Sequence, residues 1–495
     1  MARALLINPG FSLIGSEKRD TYIFPFGIGY IASFAEKHNH KIAILDVIAN
    51  QLKFKDVIKQ IEGMDFTTYN IIGITGIVGQ YSYVKELTKK LKQKTSIPII
   101  LGGPLASYSY DLVLKFTDID ICVIGEGEMI FLDLLDGKTI SNIDGIAYKS
   151  ENEIIKTKDR IQVKNIDDLG YPAFHLFDME FYINNSYFMD PIFHFYRDKK
   201  SLSIFTSRGC PYNCKFCSKS VKGIRMKSLD FLFKEIDYYI DKFKINGLHF
   251  IDELLLLNKK RFLEFCKRIK NYNINWDCQG RINFADKTIL KAMKEANGVC
   301  IGFGIESGSQ KILDAMDKRI KAKDLEKVLL FCTKIKLPVK IQLIFGYPGE
   351  NWTTLNETLS LFNRLKLPGR RFTTIVPLPG SLLYEQAKKD GFIGDKETDI
   401  ISEEKYLELL SENFGTITPS LFYNRTEFSD DEFFKMNHYI HSKIFKNFLK
   451  NIIIHPIYII RNWYVYKFYI RNWIPRFKGG LFLAKIFDII YSYRS

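Results

Sequence analysis

Short apolar runs alternate with amphipathic stretches from the first residues of the chain. The runs ALLINP (4–9), KIAILD (41–46), NIIGITG (70–76), IPIILGG (97–103) and DICVIGEG (120–127) are continuous enough to be strands buried on both faces. Helical periodicity falls between them, near 27–37, 53–62, 80–93 and 108–116. Strand–helix alternation at this spacing predicts an α/β fold whose N-terminal part is a doubly wound parallel sheet of about five strands. Several strands end in glycine-rich turns: TGIVG (75–79), GGP (102–104) and GEGE (125–128). Open α/β sheets bind ligands outside the carboxyl ends of their strands, where such turns let backbone approach a flat or phosphate-bearing molecule. No G-x-G-x-x-G opens the first helix and no P-loop is present, which disfavours a nicotinamide or flavin dinucleotide.

Residues 137–200 lose this rhythm. GIAYKSENEIIKTKDR (145–160) reads as a hairpin turning at Ser150–Asn152, and DDLGYPAFHLFDMEFY (167–182) as an aromatic connector ordered around Pro172. His175 and His194 in this region are expected to be surface or packing residues. Strand patterns then resume at 201–207, 247–253, 274–281, 298–305, 339–346 and 371–377, separated by helical patterns at 229–243, 258–272, 285–296, 321–336 and 353–366. Polar residues gather at the carboxyl ends of these strands, where parallel barrels carry their chemistry. They are Asp252 and Glu253, Arg281, GIESGS (304–309) and FGYPGE (345–350).

Eight cysteines in 495 residues are too few for a disulfide scaffold, so a reducing cytoplasmic setting is expected. Cys210, Cys214 and Cys217 form a C-x3-C-x2-C array in one loop directly after the apolar strand SLSIFTS. A structural zinc site normally takes four nitrogen or sulfur ligands, and the next candidates, His249 and Cys266, lie well downstream. Three thiolates instead suit a 4Fe–4S cube, leaving one iron open to a chelating molecule. Cys122, Cys266, Cys278, Cys300 and Cys332 lack ligand spacing and read as small buried hydrophobes.

With Phe216 before its third cysteine, this loop resembles that of the radical S-adenosylmethionine (SAM) superfamily, and the six strand–helix units over 201–395 match that superfamily's partial (β/α)6 barrel. The resemblance implies that Asp252 and Glu253 bind the methionine amino group of SAM and Arg281 its carboxylate. Glu306 and Ser307 would reach the ribose or the carboxylate, and the turn with Gly346 and Pro348 would lie under the adenine. A doubly wound domain ahead of the barrel, with FPFGIGYIASFAEKHNHKIAILD (24–46), resembles the cobalamin-binding members, which include anaerobic porphyrin-ester cyclase-like enzymes and methyltransferases. That implies a corrin resting on Asn8 and Pro9, on Thr75, Gly76 and Gly79, on Gly102 and Gly103, and on Gly125, Glu126 and Glu128. The Asp-x-His-x-x-Gly of many cobalamin domains is absent, and His38 and His40 fall in a helix-to-strand turn away from this edge, so cobalt without a protein histidine is expected. Methylthiotransferases differ in their second three-cysteine cluster and C-terminal RNA-binding barrel.

Charge adds one feature. Of the net charge of +15, residues 440–495 carry +9, and 14 of these 56 residues are aromatic. The longest stretch there without Lys or Arg, 451–460, falls short of the roughly 20 apolar residues of a membrane span. Aromatic and basic residues interleaved on short helices suit a membrane surface; a helical cap on the barrel or an RNA-binding face are the alternatives. The expected organisation is a cobalamin-binding domain (1–136), a connector (137–200), the barrel (201–395), a helical extension (396–439) and the basic aromatic tail (440–495). The expected activity is generation of a 5′-deoxyadenosyl radical for cobalamin-dependent methylation of an unactivated carbon. Radical oxidation or ring formation, and a non-catalytic cluster-bearing binding protein, are the alternatives. Expected partners are a small-molecule or lipid-like substrate and a flavodoxin or ferredoxin as electron donor, with the chain cytoplasmic or peripheral on the inner face of the membrane; nucleic acid is not expected.

Overall fold

A computed structural model describes residues 1–440 apart from 15–21, 152, 187–199, 220, 222, 366–369, 414–420, 434 and 437–438. His194 and the tail from 441 therefore lie outside the described residues.

The N-terminal strands form where the apolar runs predict them: β1 (Arg3–Asn8), β2 (Lys41–Asp46), β3 (Ile71–Thr75), β4 (Ile99–Gly102) and β5 (Ile121–Val123). They pair in parallel in the order β2-β1-β3-β4-β5. The helices between them are α1 (Phe26–Lys37), α2 (Phe54–Glu62), α3 (Tyr81–Lys92) and α4 (Pro104–Phe116), with α5 (Glu128–Leu135) following β5. The fourth helix starts earlier than the periodicity suggests, because Pro104 occupies its first turn, where a missing N–H costs nothing. The hairpin of β6 (Ile146–Ser150) and β7 (Glu153–Lys156) forms, and it pairs antiparallel with β5. The first sheet thus has seven strands and continues past residue 136.

The connector is an aromatic joint that includes α6 (Met179–Asn185). The rings of Phe174, Phe177 and Tyr182 pack on Phe24 at centroid distances of 5.0, 4.8 and 5.5 Å. Gly29 makes this possible, since a Cβ there would lie 2.9 Å from the Phe24 ring and 3.0 Å from Pro172. His175 is a surface residue in hydrogen-bonding contact with Glu36. One continuous apolar core runs from Leu6 and Ile100 through these rings to Leu202 and Trp276, so the two sheets are joined by packing.

The second sheet is entirely parallel, in the order β15-β14-β13-β12-β11-β8. Its strands are β8 (Ser201–Ile204), β11 (Gly247–Phe250), β12 (Asn275–Gly280), β13 (Gly298–Glu306), β14 (Val339–Phe345) and β15 (Arg370–Thr374). A short ladder of β9 (Ser207–Arg208) and β10 (Arg225–Met226) closes the loop after β8. The intervening helices are α7 (Leu229–Phe243), α8 (Lys259–Ile269), α9 (Lys287–Glu295), the short α10 (Gln310–Ala315), α11 (Ala322–Lys334) and α12 (Trp352–Leu365). Side chains of Ser228, Asn258 and Asp286 cap α7, α8 and α9, which fixes where each begins. This is the expected partial barrel. Beyond it, α13 (Leu382–Lys389) and α14 (Glu403–Glu412) follow, and α14 packs on α3 of the first sheet. There the Ser411 hydroxyl donates to the Gly79 carbonyl at 3.2 Å, and Lys85 pairs with Glu404 and Glu408.

Candidate active site

The loop after β8 is shaped by its backbone before its thiols. Gly209 has φ +87°, and a Cβ there would collide with the Gly223 carbonyl across the loop. Cys214 and Cys217 are joined by a turn bond from Cys217 N to the Cys214 carbonyl at 3.0 Å. Lys215 N donates to the Met316 carbonyl at 3.0 Å, and the Ser218 hydroxyl to the Pro379 carbonyl at 2.7 Å. Neighbouring segments of the barrel thus hold the loop in place. All three cysteines are free thiols. Although Cys217 is exposed, loss of water around its sulfur, with Cys214 and Cys210 as close neighbours, pushes the thiol up to about 11. Such crowding of thiolates is what a positively charged iron centre relieves. Among the described residues no three His, Cys, Asp or Glu side chains are gathered to hold a single ion. A cube places each thiolate on a different iron, so its ligands stand further apart than those of one ion.

These thiols open onto a cavity of about 560 Å³ whose other wall is the ligand edge of the first sheet. Phe216, Glu253, Arg281 and Glu306 line it from the barrel side, and Thr75, Gly102, Gly103, Gly125, Glu126 and Glu128 from the N-terminal side. Leu6, Gly73, Ile100, Val123 and Phe131 continue that wall as an apolar cleft between sheet and helix. A Cβ on Gly73 would lie 2.6 Å from the Leu6 side chain and narrow the cleft. Among the described residues no histidine lines the cavity. His40 instead bonds Ala2 N and Asp136 at the opposite end of β1, and His38 bonds the Phe34 carbonyl.

Other expected residues stand outside the cavity wall, each for a visible reason. The Asp252 carboxylate is buried and accepts from Thr206 N at 2.9 Å and from the hydroxyls of Thr206 and Ser207, tying β11 to β8. Of the adjacent acids, only Glu253 faces the opening. Ser307 shares a hydrogen bond with Thr358 at 3.1 Å and is fully buried. Gly346 (φ +85°) lies under the Phe433 ring, and neither it nor Pro348 lines the cavity. The Asn8 amide donates to Asp46 at 2.8 Å, and the Pro9 carbonyl accepts from Gln80 at 2.8 Å. Gly76 bonds the backbone of Gly102 and Leu105, while Gly79 is covered by Ser411.

Several lining residues carry no motif that could have announced them. Lys318 pairs with Glu306 at 2.7 Å and stands 5.6 Å over the Phe216 ring. Gln279 and Gln342 line the cavity from β12 and β14, with Gly304 of β13 between them. Arg281 lies 3.7 Å over the Tyr212 ring, its Nη1 is 3.6 Å from Cys214 Sγ, and its Nη2 donates to the Lys318 carbonyl. Its Nε is buried without a partner, a donor left for an anionic ligand in the cavity. Burial raises the Glu253 carboxyl above its ordinary range, as befits a group awaiting a cation. The donor set therefore fits a cluster and a zwitterionic ligand beside it, and the glycine edge fits a flat ligand opposite.

Three free thiols at the mouth of a parallel half-barrel, facing a doubly wound sheet across one cavity, define a radical SAM protein with a second ligand domain. The comparisons agree on both halves: residues 204–362 match the radical SAM superfamily and residues 14–135 the B12 binding domain, and the chain belongs to the cobalamin-binding radical SAM proteins. It is 29% identical over 373 residues to an uncharacterized methyltransferase, PH0819, of Pyrococcus horikoshii, covering 73% of this chain and 78% of that one. It is 23% identical over 422 residues to the anaerobic magnesium-protoporphyrin IX monomethyl ester cyclase of Rubrivivax gelatinosus, covering 82% and 72%. The fold is shared with the cobalamin-dependent SAM radical enzyme OxsB, solved with aqua-cobalamin and SAM bound (TM-score 0.66, 16% identity, 99% of this chain and 75% of that one). A 4Fe–4S cluster, SAM and cobalamin are accordingly its cofactors.

Proposed function

We propose that the chain is a cobalamin-dependent radical SAM methyltransferase acting on an unactivated carbon of a small molecule. The observation that carries this reading is the single cavity lined by both the three thiols and the glycine edge of the first sheet. A carbon generated as a radical on one side can meet a methyl donor on the other without crossing solvent. When bound, the reduced cluster with SAM supplies the hydrogen-abstracting radical, and cobalamin the methyl group.

The chain's own residues bind, orient and exclude water. Cys210, Cys214 and Cys217 would hold the cluster. Glu253 would take the methionine ammonium, and Arg281, with its spare Nε, the carboxylate. Lys318 keeps Glu306 fixed beside that site. Thr75, Gly102, Gly103 and Gly125 would carry the corrin, with the cleft at Gly73 taking its tail. Asp252, Ser307 and Gly346 support these residues from behind. Ring formation or oxidation is the second reading, and the likeness to the cyclase favours it.

A flavodoxin or ferredoxin would deliver the electron. No helix of the described residues is long and apolar enough to cross a membrane; the aromatic, basic tail would place the chain on a membrane surface and bring it lipid-like substrates. Liposome co-sedimentation with and without 440–495 tests that placement. Anaerobic reconstitution with iron, sulfide and aquacobalamin, followed by incubation with candidate substrates and methyl-labelled SAM, tests the activity. Methylated product with S-adenosylhomocysteine supports methyl transfer; 5′-deoxyadenosine with an unmethylated oxidised product supports the second reading instead.

A further inference from the structure

The two walls of the cavity are held together by a group of buried charges that neither cofactor site accounts for. Arg208 stands two residues before Cys210, Glu126 lies in the turn after β5, and Glu128 opens α5. Nη1 of Arg208 lies 2.8 Å from Glu128 and 3.1 Å from Glu126. Arg225, paired with Arg208 across the β9–β10 ladder, takes both oxygens of Glu126, at 2.7 and 2.8 Å. Beneath Arg208 lies the Tyr30 ring, 4.8 Å from the guanidinium, and the Tyr30 hydroxyl accepts from Lys227 at 3.2 Å. Lys227 is in turn buried against Glu235. The side chains of Arg208, Arg225, Glu126 and Glu128 are 18%, 14%, 11% and 5% exposed, so water screens these pairs little. Burial alone would raise the Glu126 carboxyl; hydrogen bonds from Arg225 and the charge of Arg208 outweigh it and hold it below its ordinary value.

We propose that Arg208 and Arg225 are positioning residues which, by clasping Glu126 and Glu128, set the distance between the cluster thiols and the corrin edge of the first sheet. The inference rests on the two-cofactor reading above. Planar guanidinium forks on carboxylates fix direction as well as separation. Here they join the thiol loop to the segment after β5 at the rim of the cavity, above the apolar core that packs the two sheets together. Without them the two sites would each form, out of register.

The test uses anaerobically reconstituted full-length protein carrying the cluster and cob(II)alamin. The unpaired spins of the reduced cluster and of cob(II)alamin couple through space with an inverse-cube dependence on distance, which electron paramagnetic resonance reads without any substrate. The Glu126→Gln/Glu128→Gln variant should retain the parent's iron and corrin content and show a weaker, broadened coupling. Arg225→Lys keeps the charge but lacks the fork on Glu126, and should give an intermediate coupling. A displacement of about 1 Å costs on the order of 100-fold in turnover, which is the loss expected of the double variant once a substrate is in hand. Parental coupling in loaded variants overturns the positioning role alone. If the double variant loads poorly, Arg225→Lys decides by the same criterion. A parent protein that takes up no corrin overturns the two-cofactor reading itself.

Discussion

Replacing Glu350 by glutamine probes the turn that supports the mouth of the barrel. Glu350 is 2% exposed, and its Oε2 accepts from Gly346 N at 2.6 Å. Burial pushes its carboxyl up to about 8 from an ordinary 4.5, and the bond from Gly346 offsets only part of that. The folded-state pKa is thus raised above the unfolded one. Between about pH 4.5 and about pH 8 the unfolded chain has released a proton that the folded chain retains, so stability falls by about 1.4 kcal/mol per pH unit. The full loss is roughly 5 kcal/mol; it is absent below the window and complete above it. Glu350→Gln keeps the volume and an acceptor for Gly346 N–H and cannot ionise. The variant should therefore gain on the parent by roughly 5 kcal/mol between about pH 4.5 and about pH 8. Urea unfolding of the cofactor-free chain across that range at fixed ionic strength measures the difference. A flat difference, or one that grows toward acid, refutes the reasoning, because it would mean that Glu350 is ionised in the fold.

Three further outcomes follow from the geometry. Cys214→Ala should abolish the iron chromophore after anaerobic reconstitution while leaving corrin uptake intact, measured by metal and corrin content. Arg281→Met should weaken SAM binding on the order of 10-fold or more, through loss of a charged hydrogen bond worth about 1.5–3 kcal/mol; equilibrium binding to the cluster-loaded protein checks it. Gly346→Ala places a Cβ 2.6 Å from the Phe433 ring at a φ of +85°. It should destabilise the chain by about 1–3 kcal/mol, read as a lower urea midpoint.

What could be read from the chain without coordinates was what is local. The thiol spacing, the strands and the order of the barrel units depend on residues within one loop or one element, and periodicity reports those. The role of adjacent acids did not: Asp252 and Glu253 look equivalent in sequence, yet the turn that follows β11 sends one into bonds with the segment after β8 and the other into the cavity. Likewise Glu126 and Glu128 suggest a ligand turn, but their carboxylates are taken by arginines some 80 to 99 positions away, which no pattern in the GEGE segment announces. The hairpin of 146–156 was visible as a hairpin, whereas its pairing with β5 depends on which sheet edge the chain meets. Lys318 was missed because a lone lysine after a short helix has no signature until the fold brings it to Glu306.

The clasp of Ser411 on Gly79 spans 332 positions of sequence. A sheet whose strands are all made before the barrel nevertheless receives one of its bracing helices, α14, only after the barrel has been made. Long-range closures of this kind slow folding, so the nascent N-terminal domain waits, partly uncovered on its α3 side, until the barrel and α14 have left the ribosome. Fragments ending at the barrel should therefore be aggregation-prone in proportion to that bare flank, and the shortest well-behaved piece of this protein extends through α14.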